Sequence, residues 1–218
     1  FALNQGEVCT CPSRILVQES IYEKFMERVV ERTNAIKLGH PLDLNTMMGA
    51  QASNDQYEKI LNYIEIGKEE GCEVLAGGEA AYNEGLDGGY YIKPTILKGN
   101  NKMRVFQEEI FGPVLSILEC KSLERAVEIV NDSRFGLSSA IYTRDVNRAF
   151  KAIEKLDTGI TYINSSTIGA EVQLPFGGTK GTGNGHREAG TTALEIFTEW
   201  KSVFVDYSGG LQKAQIED

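Results

Sequence analysis

The sequence predicts an α/β fold, a mostly parallel twisted sheet with helices on both faces, and three observations carry that reading. From Leu115 onward short apolar runs alternate with helix-length amphipathic segments, the order expected of βαβ units. Twice, at Ser20 with Glu23 and at Ser53 with Gln56, a Ser-x-x-Glu/Gln pattern stands ahead of an apolar stripe of helical period. Hydrophobic residues make up 41% of the 218, with 23 glycines, a composition that excludes disordered and collagen-like chains and can bury a sizeable core.

The elements follow in order. Asn4 to Cys9 is turn-like, and Arg14 to Gln18 alternates as a short strand. The first capping pattern opens a helix whose stripe of Phe25, Met26, Val29, Val30 and Ile36 runs as far as Lys37, where Gly39 and Pro41 end it. The second opens a helix with Tyr57, Ile60, Leu61 and Ile64 at i, i+3, i+4 and i+7, stopped by Gly71. Glu73 to Ala76 reads as a strand, Asn83 to Gly89 as a polar turn, and Tyr90 to Leu97 as a strand that Pro94 assigns to an edge. Leu115 to Glu119, Ser139 to Thr143 and Ile160 to Ile163 are strands separated by helices at Leu123 to Asn131 and Val146 to Leu156. Six of the 14 residues from Gly177 to Gly190 are glycine, which predicts a tightly wound loop passing close to another backbone. A short helix from Thr191, a final strand Val203 to Tyr207 and a frayed tail from Gly209 complete the chain.

Charge and cysteine usage narrow the function. Lys and Arg number 22 against 31 Asp and Glu, a net charge of −9, the wrong sign for binding nucleic acid. No run of about 18 apolar residues is present, so no membrane association is expected. Cys9, Cys11, Cys72 and Cys120 are sparse and irregular, unlike a disulfide framework, and fit a soluble cytoplasmic protein. Neither they nor His40 and His186 show the spacing of a metal site.

Cys9 lies in a polar, turn-forming stretch where a thiol is exposed rather than packed, the setting a reactive thiolate needs; Cys72 and Cys120 lie in apolar surroundings. A Cys9–His186 dyad of hydrolase type is a further candidate. The glycines around Lys180 complete neither a G-x-G-x-x-G nor a Walker pattern. Glu108 and Glu109, with Phe111, stand just before Gly112 and Pro113, so a carboxylate and an aromatic ring precede a forced break in the chain.

Together the segments NQGEVC (Asn4 to Cys9), QEEIFGPV (Gln107 to Val114), PFGG (Pro175 to Gly178) and Gly185 to Glu188, in this order and spacing, resemble the catalytic half of the NAD(P)-dependent aldehyde dehydrogenases over nearly the whole chain. The resemblance implies that Cys9 attacks the aldehyde carbonyl, that the thiohemiacetal gives up hydride to NAD or NADP, and that water hydrolyses the thioester. It also implies that Glu109 binds the nicotinamide ribose, that Phe111 packs beside the nicotinamide, and that Gln56 and Lys59 reach cofactor ribose. Phe176, Ile168 and Ala170, with the loop Ser165 to Leu174, would line the substrate tunnel, and the Cys9 backbone N–H would hold the oxyanion. The opening half is similar to acetaldehyde-type members, and Thr167 to Gly190 to members acting on semialdehydes of carboxylic acids.

The family's glutamate base, its oxyanion-hole asparagine and its dinucleotide-binding domain all precede the cysteine. The expectation is therefore the second half of an enzyme: a catalytic domain over 1–201, an oligomerisation strand at 202–208 that joins a homo-oligomer, and a tail at 209–218. Alone it would be folded but nearly inert as a dehydrogenase, with a non-catalytic assembly module as the alternative role.

Overall fold

The computed structural model describes residues 1–82, 85–86 and 88–210. Strand β1 (Arg14–Gln18) leads through a short 3-10 turn into α1 (Tyr22–Asn34), and after a loop α2 (Asn54–Glu69) precedes β2 (Glu73–Ala76) and β3 (Thr95–Lys98). A single helical turn, α3 (Arg104–Gln107), comes before β4 (Val114–Cys120), α4 (Leu123–Asn131), β5 (Phe135–Gly136) and β6 (Ser138–Ile141). Then follow α5 (Val146–Lys155), β7 (Ile160–Ile163), β8 (Thr179–Lys180) and the short α6 (Leu194–Phe197). β1, β4 and β3 form parallel pairs in the order β1-β4-β3-β2, with β2 antiparallel at the edge.

β4 organises the core because its residues are buried on both faces, as a central parallel strand requires. Leu115 and Ile117 pack with Val17, Ile96 and the Tyr22 and Met26 side chains of α1. Val114 and Leu118 pack with Ile60 and Ile64 of α2, Val105 and Phe106 of α3 and Ile129 of α4. Helices thus cover both faces, and each fully buried aliphatic side chain contributes about 1.5–3 kcal/mol. Ser116, the one polar residue between them, is satisfied by donating its hydroxyl to the Val105 carbonyl at 2.8 Å.

Several local expectations are corrected. Ser20 does not cap the first helix: the N-cap is Ile21, with no side-chain bond, and the helix ends at Asn34 rather than Lys37. Beyond it the Lys37 carbonyl accepts the N–H groups of Met47 and Met48, so that carbonyl is engaged outside the helix. Pro94 does not mark an edge strand. It stands one residue before β3, which is interior to the sheet, and the ladder begins where Thr95 donates its N–H to the Pro113 carbonyl at 2.8 Å. Strands β6 and β7 pair with each other in parallel across α5, a βαβ unit as predicted, but form their own ladder apart from the four-stranded sheet. The glycine-rich loop contains a two-residue strand, β8, antiparallel to β5.

Residues 203–207 form no ladder: Val203, Phe204, Val205 and Tyr207 are 60–95% exposed. A strand exists only against a partner's N–H and C=O groups, and this segment has none within the described residues. Of the predicted turn, Asn83, Glu84 and Asp87 lie outside the described residues, as does the tail beyond residue 210. Among the described residues no helix is long and apolar enough to cross a membrane, and no three His, Cys, Asp or Glu side chains gather as a metal centre would need.

Candidate active site

The chain around Cys9 folds in a backbone conformation few sequences tolerate. Asn4 and Gln5 have φ of 49° and 48°, and Gly6 follows at 80°, three left-handed residues in succession. Asn is among the residues that tolerate this region, and Gly has no Cβ to clash. The turn is closed by the Glu7 N–H on the Asn4 carbonyl at 3.0 Å and by Asn4 Nδ2 on the Glu7 carbonyl at 3.2 Å. A second turn runs from Val8 to Cys11, closed by the Cys11 N–H on the Val8 carbonyl at 3.0 Å. Cys9 and Thr10 occupy its centre, the first exposed and the second only 4% exposed. Among the described residues the Cys9 N–H donates no backbone hydrogen bond.

Two glycines bring this turn against the segment that carries Glu109 and Phe111. A Cβ on Gly6 would lie 2.1 Å from the carbonyl carbon of Gly112, and one on Gly112 would lie 2.4 Å from Cδ1 of Ile60 on α2. Phe111 is itself left-handed, with φ of 59°. Gln56, on the first turn of α2, donates Nε2 to the carbonyls of Phe111 at 2.6 Å and Ile110 at 3.2 Å. Ser53 caps that helix as the sequence predicts, accepting the Gln56 N–H at 3.2 Å, but the Gln56 side chain turns to Phe111 instead of closing the box. Just before it, the Ala52 N–H lies 3.2 Å from both carboxylate oxygens of Glu7, and Gln5 Nε2 donates to Glu7 at 2.7 Å.

The two glutamates of QEEIFGPV separate in role. Glu108 accepts the Tyr63 hydroxyl at 2.8 Å and pairs with Arg104 at 3.0 Å, and these bonds, Arg104 first, hold its carboxyl below the usual range. Glu109 is exposed and, among the described residues, its side chain makes no hydrogen bond. Lys59, one turn beyond Gln56, has its ammonium 6.0 Å from the Tyr63 ring centroid. The Gly6–Gly112 contact and the Gln56 bonds thus bring together the N-terminal turn that precedes Cys9, the start of α2 and the segment before β4 that carries Glu109 and Phe111.

The proposed tunnel residues are held differently. The loop of residues 165–174 contains Ile168, and Ala170 is left-handed with its N–H on the Tyr162 hydroxyl at 2.9 Å. Thr167 reaches out of it to donate Oγ1 to the Thr10 carbonyl at 2.6 Å. Phe176 is half-buried and bridges antiparallel to Glu188. The close backbone approach expected of the glycine loop is present: a Cβ on Gly159 would lie 1.7 Å from the Gly177 carbonyl oxygen. His186 is exposed and forms no hydrogen bond with Cys9, so the hydrolase dyad is not assembled. Sequence reasoning missed Glu7, Thr10 and Thr167. The Thr10–Thr167 pair is separated by 157 positions and has no local signal.

The aldehyde dehydrogenase family model matches residues 1–203, and the chain belongs to that family. An aldehyde dehydrogenase of Deinococcus radiodurans is 51% identical over 208 residues, covering 95% of this chain and 40% of that protein. Acetaldehyde dehydrogenase 2 of Cupriavidus necator is 51% identical over 209 residues, covering 95% and 41%. Among solved structures, a point mutant of Staphylococcus aureus betaine aldehyde dehydrogenase, in complex with NAD+ and with a BME-modified cysteine, superposes with a TM-score of 0.91 at 33% identity, covering 95% of this chain and 42% of that one. The chain spans about two fifths of the length of the curated relatives it matches.

Two measurements test this geometry. Gly6→Ala should lower stability by at least about 2 kcal/mol in urea unfolding, since its Cβ meets backbone, whereas Gly71→Ala, also left-handed but with open space around it, should cost about 1. Equal losses would refute the contact. Burial pushes the Cys11, Cys72 and Cys120 thiols up, so their thiolate fractions at neutral pH are reduced. Iodoacetamide should label Cys9 first and the other three only as pH rises; peptide mapping that finds Cys72 or Cys120 labelled as fast as Cys9 would contradict this.

Proposed function

We propose that this chain supplies the nucleophile and one edge of the cofactor site of an enzyme that oxidises an aldehyde to a carboxylic acid with NAD or NADP. The observation that carries the reading is the exposed Cys9, at the centre of a clamped turn, beside the Glu109–Phe111 segment. Its thiolate attacks the aldehyde carbonyl carbon, and the carbonyl oxygen becomes an oxyanion that the Cys9 N–H is able to receive. Glu109 and Phe111 would hold a nicotinamide cofactor, which would supply the hydride acceptor; the Cys9 thiohemiacetal would then become a thioester that water cleaves to the acid.

The side chains fit such a cofactor. Glu109 has an exposed carboxylate that, among the described residues, makes no hydrogen bond and is open to ribose hydroxyls, and Lys59 has the Tyr63 ring beside its ammonium. Gln56 has its amide nitrogen committed to the Phe111 and Ile110 carbonyls, so it acts on the cofactor through Phe111 and through its remaining amide oxygen. The similarity to a structure in complex with NAD+ supports the cofactor class, and the modified cysteine of that structure supports a reactive thiol. Phe176, Ile168 and Ala170 would line the aldehyde's path. Four unpaired cysteines favour a reducing compartment, the cytoplasm.

Positioning a nicotinamide against the reacting carbon, worth up to about 7–11 kcal/mol in ideal geometry, needs more of a cofactor site than Glu109, Phe111 and Lys59 provide. The 218-residue chain alone should therefore form no NADH from aldehydes. Joined to the preceding part of the Deinococcus radiodurans relative it should do so, and Cys9→Ala in that chimera should abolish turnover while NAD+ binding persists. Retained turnover in the alanine variant would overturn the assignment.

A second reading, assembly, is favoured by the exposed apolar residues 203–207, which have no ladder of their own. In it they pair with a sheet edge of another copy. Light scattering after size exclusion should show an oligomer at micromolar concentration that is lost when residues after Ser202 are removed; a monomer in both cases refutes it.

A further inference from the structure

We infer that Thr167 is a positioning residue for the Cys9 thiol, tying the conformation of the 165–174 loop to the turn that presents the nucleophile. The inference rests on the reading of Cys9 as nucleophile and assigns a role to a residue outside that reading. The loop is held at several points, among them the Gly190 N–H on the Val172 carbonyl at 2.9 Å near its end. At its start Asn164, left-handed at φ of 56°, exchanges hydrogen bonds with Thr143: its Oδ1 accepts the Thr143 N–H at 2.8 Å and its Nδ2 donates to the Thr143 carbonyl at 2.9 Å. Further on, the Ala170 N–H donates to the Tyr162 hydroxyl. Both of these anchors stay within the β6–α5–β7 unit and its loop.

The middle anchor leaves that unit. Thr167 Oγ1 donates to the Thr10 carbonyl at 2.6 Å, and Thr10 is the residue after Cys9, buried between an exposed and a half-buried cysteine. The Val8–Cys11 turn is closed on one side by its own backbone bond, and the Thr167 hydroxyl fixes the other side by holding the peptide carbonyl of its second central residue. That peptide joins Thr10 to Cys11, one residue beyond Cys9 and inside the same turn. A rotation of the turn would carry the thiol and the Cys9 N–H together away from a carbonyl held by the loop. The hydroxyl thus orients the nucleophile and the oxyanion donor as a pair, and a molecule seated on the loop bears on Cys9 through one hydrogen bond.

Orientation and nucleophilicity can be read separately on the chain as it stands. Acylation by p-nitrophenyl acetate forms an S–C bond to the acetyl carbon and expels p-nitrophenolate with the electron pair of the broken C–O bond, the thiol proton passing to water. It requires the thiolate and the oxyanion donor in register, whereas alkylation by iodoacetamide requires the thiolate alone. Thr167→Val, nearly the same shape without the donor, should slow acylation of Cys9 about tenfold while alkylation stays within about twofold. Thr167→Ser should restore acylation, and Thr179→Val, which removes the bond from a threonine hydroxyl on β8 to the Asp157 carbonyl, should leave it unchanged.

Acylation of Thr167→Val at the unaltered rate overturns the inference. So does an equal loss of acylation and alkylation, or an equal slowing in Thr179→Val, since each indicates general loosening. An unaltered chain that is alkylated at Cys9 yet never acylated there refutes the nucleophile reading itself. Circular dichroism melts of the variants separate any failure to fold from these outcomes, and where the Val variant does not fold Thr167→Ala takes its place: slowed acylation with alkylation kept is expected, and acylation at the unaltered rate overturns the inference.

Discussion

A Cβ on Gly6 would sit 2.1 Å from the carbonyl carbon of Gly112, so two backbones touch there with no side chain between them, and the position of Cys9 relative to Phe111 follows from that contact. Gly112 is in turn pressed on Ile60, a fully buried residue of α2, so the reference surface for the nucleophile is the hydrophobic core itself. A residue larger than glycine at position 6 would push the Cys9 turn off the segment before β4, and one at position 112 would push that segment off α2. The polar bonds around it, from Glu7 to Ala52 and from Gln56 to Phe111, fix orientation once that approach has been made.

The same core explains why α2 serves both packing and site. Ile60 and Ile64 pack with side chains of β4 and α3, while Gln56 donates to the Phe111 carbonyl and the Lys59 ammonium stands beside the Tyr63 ring. A 3.6-residue period puts positions 59 and 60 about one turn beyond 56, so a helix whose depth is set by its isoleucines also sets where its amide and ammonium groups stand. Arg14 acts similarly at the other end of the sheet. Its guanidinium donates to Asn101 at 2.7 Å and to the Ile129 and Val130 carbonyls at the end of α4, which fastens the start of β1, soon after the Cys9 turn, to the opposite layer.

What was legible in the sequence divides along the range of the interaction. The bounds of α4 are legible in the sequence, Leu123 to Asn131, because its amphipathic stripe lies within one short window. Ser20 and Ser53 offer the same Ser-x-x-Glu/Gln pattern, but only Ser53 caps its helix, because a 3-10 turn at Glu19–Ile21 displaces Ser20 from the N-cap. Pro94 was misread since a proline at an edge and a proline one residue ahead of an interior strand look alike until the strand order is known. Residues 203–207 have the composition of a strand, but the ladder that defines one depends on a partner, which no local pattern supplies. At the site, Cys9 was marked by its polar, turn-forming surroundings, whereas Thr167 and Glu7 act through partners far along the chain and carried no periodic or compositional mark.

Backbone strain is distributed in the same pattern. Among the described residues, seven that are not glycine have positive φ. Asn4, Gln5 and Phe111 flank the Gly6–Gly112 contact, and Asn164 and Ala170 bracket the loop that reaches Thr10, while Lys180 and Ala189 stand in the glycine-rich stretch. Each such residue costs on the order of 1–2 kcal/mol and persists only where its surroundings over-determine it. Here the surroundings are identifiable: Gln56 holds the Phe111 carbonyl, the Asn4 side chain closes its own turn, Asn164 is locked to Thr143 and Ala170 to Tyr162. A chain selected for packing alone would relieve five strained residues around one exposed thiol with glycine or a regular turn. That four of the five are individually anchored fits a site whose geometry is held against the local preference of its backbone.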